Sequence, residues 1–132
     1  MTNSIPEIPK IDLAFVTGSN TTENHPVIGA QILQAVKNGA KLIVADPRRI
    51  ELARHADLFL QLKPGTNVAL LNAMMHVIYN EGLFDEEFVE ERTAGFSDLI
   101  DVIQSYTPEK ASEICGVDPD LIRKAARMYA HA

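Results

Sequence analysis

Two rhythms divide this chain. Up to about position 62, short unbroken apolar runs alternate with clusters of turn residues. Beyond position 67, apolar residues recur every three or four positions. The first rhythm is that of strands buried on both faces, and the second is that of amphipathic helices. Ile11 to Val16 reads as a strand that closes at Thr17-Gly18-Ser19-Asn20, with a loop through Thr21, Thr22, Glu23, Asn24 and His25. Pro26 suits a first helical position. Val27, Ile28, Ile32, Leu33 and Val36 keep helical spacing, and Asn38-Gly39 is a stop signal. Lys41 to Ala45 reads as the second strand, Arg49 to His55 as a short helix, and Leu58, Phe59, Leu60 and Leu62 as a third apolar run broken by Lys63-Pro64-Gly65.

The remainder reads as helix. Thr66 or Asn67 can cap a helix carrying Val68, Leu71, Met74, Met75, Ile78 and Tyr79, which closes near Gly82. Asp85 starts a second, with Phe88 and Val89. Phe96, Leu99, Ile100 and Ile103 mark a third. Thr107-Pro108-Glu109 and Asp118-Pro119 open the last two with the cap–proline pattern, and Gly116 ends the earlier of them. The fold class is therefore α/β. We expect a Rossmann-like three-layer domain whose short sheet is built in βαβαβ order, parallel with right-handed crossovers, followed by a helical C-terminal half. Residues 1–132 form one domain in this reading. Residues 1–10 are an irregular lead-in, 11–67 the βαβαβ core and 68–132 the helical part.

Composition narrows the function. A chain of 132 residues that is 46% hydrophobic can bury a core of its own. A formal net charge of -6 argues against a general nucleic-acid binder. Cys115 is the sole cysteine, which excludes an internal disulfide and fits a reducing compartment. No run approaches the roughly 18 apolar residues of a membrane span. Residues 1–10 lack the apolar stretch of a signal peptide.

The chemistry concentrates where parallel strands end. In such sheets the carboxyl ends lie on one edge, and ligands bind there. The first loop offers Gly18, Ser19, Asn20, Glu23 and Asn24; the second Asp46, Pro47, Arg48 and Arg49; the third Gly65, Thr66 and Asn67. A carboxylate at such an edge can accept both hydroxyls of a ribose, and arginines beside it can neutralise phosphate. A nucleotide-bearing cofactor is the functional reading. The structural alternative is that the glycines and asparagines are turn chemistry and that Asp46 caps the following helix. GxGxxG is missing from the first turn, which argues against a dinucleotide site of that mode. His25, beside Pro26, faces the presumed ligand edge. His76 reads as a packed neighbour of the core, His55 and His131 as surface residues, and Cys115 as a small buried hydrophobe. The acidic run Asp85, Glu86, Glu87, Glu90 and Glu91 reads as a solvated helix face.

Several segments resemble the catalytic subunit of molybdopterin-dependent formate dehydrogenases. They are GSNTTENHPVIGAQI, NGAKLIVADPRRIELA, KPGTNVALLNAMMHVI, GLFDEEFVEERTAGF, SYTPEKASEICGV and IRKAARMYA. The resemblance runs from about Ile11 to the end. It implies one of two Rossmann-like domains, each holding the guanosine-diphosphate arm of a molybdopterin guanine dinucleotide. The pair of cofactors carries molybdenum or tungsten, in an enzyme that interconverts formate and carbon dioxide. The cofactor contacts implied are the twelve residues of the three loops. Asp46 would take the ribose, Arg48 or Arg49 the diphosphate, and Asn67 or a loop acid the guanine edge; many members carry aspartate where Asn67 stands. The family's cysteine or selenocysteine metal ligand, its catalytic His and Arg and its iron–sulfur region lie outside this segment. The resemblance therefore implies that Met1 is an internal methionine and that the chain is an excised or truncated domain, inert toward formate by itself. Its partners would be the cofactor and the remaining domains of a parent subunit, cytoplasmic or in an exported complex. Cut free of these, it should self-associate through exposed apolar surface. The competing reading is a stand-alone nucleotide-binding or subunit-interaction module without a redox centre.

Overall fold

A computed structural model describes residues 4–132; Met1 falls outside the described residues. The described residues divide into two compact units, 4–61 with Ala132 and 62–131.

The first unit opens with a 3₁₀ helix, Ile5–Lys10, where an irregular lead-in was expected. Three parallel strands follow, β1 Leu13–Thr17, β2 Lys41–Ala45 and β3 Leu58–Leu60, side by side in chain order. Leu13 pairs with Lys41, Val16 with Val44, and Ile43 with Leu58. After Lys41, every residue of β2 is buried, as its unbroken apolar run implies. Between β1 and β2 lie α1, Thr21–Asn24, and α2, Pro26–Lys37. On one face of the sheet Ala14, Val16, Leu42 and Val44 pack against Ile32 of α2 and against Ile50, Leu52 and Ala53. The last two belong to a 3₁₀ turn, Glu51–Arg54, shorter than the helix expected over residues 49–55. Asp57 clips the sheet at its far end: Oδ2 accepts from Leu42 N–H and Oδ1 from Lys41 Nζ, both at 3.0 Å.

The second unit is helical: α3 Asn67–Asn80, α4 Glu86–Arg92, α5 Phe96–Ile103, α6 Pro108–Cys115 and α7 Pro119–Ala130. Leu70, Ala73, Met74 and Val77 of α3 are buried, as are Ala111, Cys115, Ile122, Ala125 and Ala126 of α6 and α7. The expected caps form. Asp85, Thr107 and Asp118 accept from the N–H groups of Phe88, Lys110 and Asp120. Gly116 ends α6 at φ +77°, a left-handed conformation that other residues resist. Among the described residues, no helix is long and apolar enough to cross a membrane.

Candidate functional site

β1 and β2 run parallel and in register to their ends, so the segments that leave Thr17 and Ala45 emerge at the same edge. A backbone bond joins them: Gly18 N–H donates to Ala45 O at 3.3 Å. Gly18 has φ +60°, and a Cβ built on it would meet nothing within 4 Å. The space before this backbone is open, as close approach of a ligand requires.

The first loop turns at once into α1, which the apolar pattern could not signal because one turn of Thr, Thr, Glu and Asn has no apolar stripe. Asn20 is buried. Its Oδ1 accepts from Thr22 Oγ1 at 3.1 Å, and its carbonyl accepts from Glu23 and Asn24 N–H. Gly29 of α2 lies under α1: a Cβ there would stand 3.2 Å from Thr21 O and Thr22 Cα. Thr21 is buried, and its Oγ1 has no hydrogen-bond partner among the described residues. Glu23, Asn24 and His25 are exposed, and the His25 side chain does not cap α2.

In the second loop Asp46 is only 4% exposed. Its Oδ1 accepts Arg48 N–H at 2.8 Å, an Asx-turn, and lies 3.8 Å from Arg48 Nε. The helix-cap alternative for Asp46 is thereby corrected. The next helical turn begins after Ile50, four residues on, so the carboxylate organises its own turn instead. Gln61 Nε2 donates to Pro47 O at 3.1 Å, bracing that turn from the segment after β3. Arg48 is 73% exposed along its side chain. The Arg49 guanidinium lies 6.0 Å from the centre of the Phe59 ring, at the outer limit of a cation–π contact. This edge therefore holds one buried acid followed in sequence by two cations that reach solvent.

Gly65, Thr66 and Asn67 belong to the second unit; the sheet unites the first two loops. Gly65 has φ +79°, and Thr66 stands at the N-cap of α3. The Thr66 hydroxyl donates to Lys63 O at 2.7 Å rather than capping the helix. Asn67 is exposed in the first turn, where backbone N–H groups lack intrahelical acceptors. Lys63 N–H donates to Cys115 O at 2.8 Å, which ties this turn to the end of α6.

The other singled-out residues fall in line with the bland readings. Cys115 is fully buried. His76 is half-buried with Nδ1 3.0 Å from Ile103 O. Glu86, Glu87, Glu90 and Glu91 face solvent.

The family model for molybdopterin oxidoreductases matches residues 1–130. The chain is 52% identical to the F420-dependent formate dehydrogenase subunit alpha of Methanocaldococcus jannaschii, over all of this chain and 20% of that protein. It is 51% identical to formate dehydrogenase H of Escherichia coli, over all of this chain and 18% of that protein. Among solved structures, acetylene hydratase from Pelobacter acetylenicus superposes with a TM-score of 0.84 at 42% identity, covering 89% of this chain and 16% of that one. The chain thus spans about a fifth of the length of these curated relatives.

Proposed function

The chain belongs to the molybdopterin oxidoreductase family, and on that footing we propose that it is the segment of a formate dehydrogenase catalytic subunit that holds the guanosine-diphosphate arm of a molybdopterin guanine dinucleotide. The observation that carries the reading is the buried Asp46. Its Oδ1 is spent on the Arg48 turn, and Oδ2 takes no part in that turn. A carboxylate so oriented is an acceptor for the two hydroxyls of a ribose. Burial favours a ligand that donates hydrogen bonds to it, because a buried carboxylate oxygen without a donor is costly.

The neighbouring groups fit the rest of the ligand. Arg48 and Arg49 supply cations for a diphosphate. Gly18 leaves open space before the backbone at the loop's start, and Ser19 and Asn20 follow it in the same loop. Glu23 and Asn24 stand exposed beside them. In the second unit, Gly65, Thr66 and Asn67 carry their own part of the proposal: first-turn N–H groups of α3 that lack intrahelical acceptors, and the amide of Asn67, which offers a single acceptor oxygen to the guanine edge.

The parent reaction is proposed as the two-electron oxidation of formate to carbon dioxide, with release of one proton. When bound, the cofactor's molybdenum or tungsten supplies the electron acceptor. This chain's residues bind and orient the nucleotide arm and leave the substrate to other parts of the subunit. The similarity to a hydratase supports that division, since one cofactor-holding segment can serve different reactions. Formate is preferred because the formate dehydrogenases match over the whole chain. Selective binding of GDP over ADP, lost on substitution of Asp46, is the test.

A further inference from the structure

Residues 85–95 of the second unit lie between two phenylalanines whose rings meet. Aromatic rings hold the two ends together. The Phe84 and Phe96 centroids are 5.5 Å apart, and both rings lie against Tyr79, at 5.6 and 6.0 Å. Gly82 and Gly95, at φ +63° and +73°, turn the chain outward and back. Between them α4 has no buried residue, and Phe88, its third residue, is 58% exposed. Such ring-closed excursions are often functional. Asp85, Glu86, Glu87, Glu90, Glu91 and Arg92 surround Phe88 in sequence, and the Arg92 guanidinium lies 4.0 Å from Glu91. A solvated acidic helix has no need of a phenylalanine, and here Phe88 stands exposed among the acids.

We propose that α4 is a docking element: Phe88 seats in an apolar socket rimmed by lysine or arginine on polypeptide of the parent subunit outside these 132 residues. The excess of carboxylates selects a basic rim. That same excess, with a chain net charge of -6, opposes a second copy as the occupant. The supply of polypeptide follows from the relatives, of which this chain spans a fifth. The inference rests on the reading that the chain is a segment of a longer subunit.

Hydrogen exchange tests it, comparing the complete subunit with the 132-residue chain, both without cofactor. The α4 amides should exchange fast in the chain and at least about tenfold slower in the subunit. Phe88→Ala in the subunit should return α4 to the fast rate while α3 and α7 keep theirs; in the chain it should change nothing. Equal α4 rates in the two proteins would overturn the proposal, as would protection that grows with the concentration of the chain alone, which would assign the surface to a second copy. Failure of GDP binding would overturn the cofactor reading and leave this result standing. A gene that encodes these 132 residues alone would overturn both.

Discussion

Gly18 and Ala45 are joined by one backbone hydrogen bond, Gly18 N–H to Ala45 O, just where both strands end. The bond sets the separation of the two loops that carry the candidate nucleotide groups. It depends on a residue that accepts φ +60°. Gly18→Ala should therefore cost about 1 kcal/mol of stability by urea denaturation, from backbone strain alone, since its Cβ would meet no atom. If the loop holds a nucleotide, the same change should weaken GDP binding by filling the space before the backbone.

Thr21 should behave in the opposite sense. Its hydroxyl is buried without a partner among the described residues, which costs stability that an isosteric apolar side chain avoids. Thr21→Val should leave the thermal midpoint unchanged or raise it, by up to about 1 kcal/mol in free energy. A clear loss of stability would show that the hydroxyl is satisfied in solution.

Asp57 governs a pH dependence. Burial pushes its carboxyl up, but the Leu42 N–H and the Lys41 ammonium outweigh it and hold the group below the usual carboxylate range. A group that titrates lower folded than unfolded contributes its stability above the unfolded value and loses it as pH falls through the folded one. Glu81, held down by the paired contacts of Arg127, and Glu109, held down by Arg123, act in the same sense. Stability should fall as pH drops into and below the carboxylate range. Asp57→Ala should cost about 1 kcal/mol at neutral pH through the lost hydrogen bonds and flatten the acid slope. Urea midpoints from pH 7 down to pH 3 check both.

Asp46→Asn separates turn from ligand. An asparagine Oδ1 can accept Arg48 N–H and keep the Asx-turn, so stability should hold. The charge and the second acceptor oxygen are gone, so GDP affinity should fall at least about tenfold, or about 1.4 kcal/mol.

Much of this architecture is legible in the residues. β2 appears over Lys41–Ala45, where its apolar run places it, because a strand buried along its length leaves no polar register to confuse. The helices after Asp85, Thr107 and Asp118 begin where capping chemistry puts them. Helix α1 is missed, since a single turn leaves no period to read, and the expected helix after Arg49 shrinks to one 3₁₀ turn. In the candidate site, sequence places Asp46 at the strand end, but burial and the Arg48 turn are needed to choose against the helix cap. The exposure of Phe88 is not legible in the sequence, because an apolar residue on a short helix does not report what covers it.

Calorimetric titration of the chain with GDP, with ADP as control, tests the central claim most directly. The account predicts binding of GDP in preference to ADP, weakened by Asp46→Asn in a variant that melts like wild type. Absence of GDP binding, or equal affinity for GDP in wild type and Asp46→Asn, would contradict it.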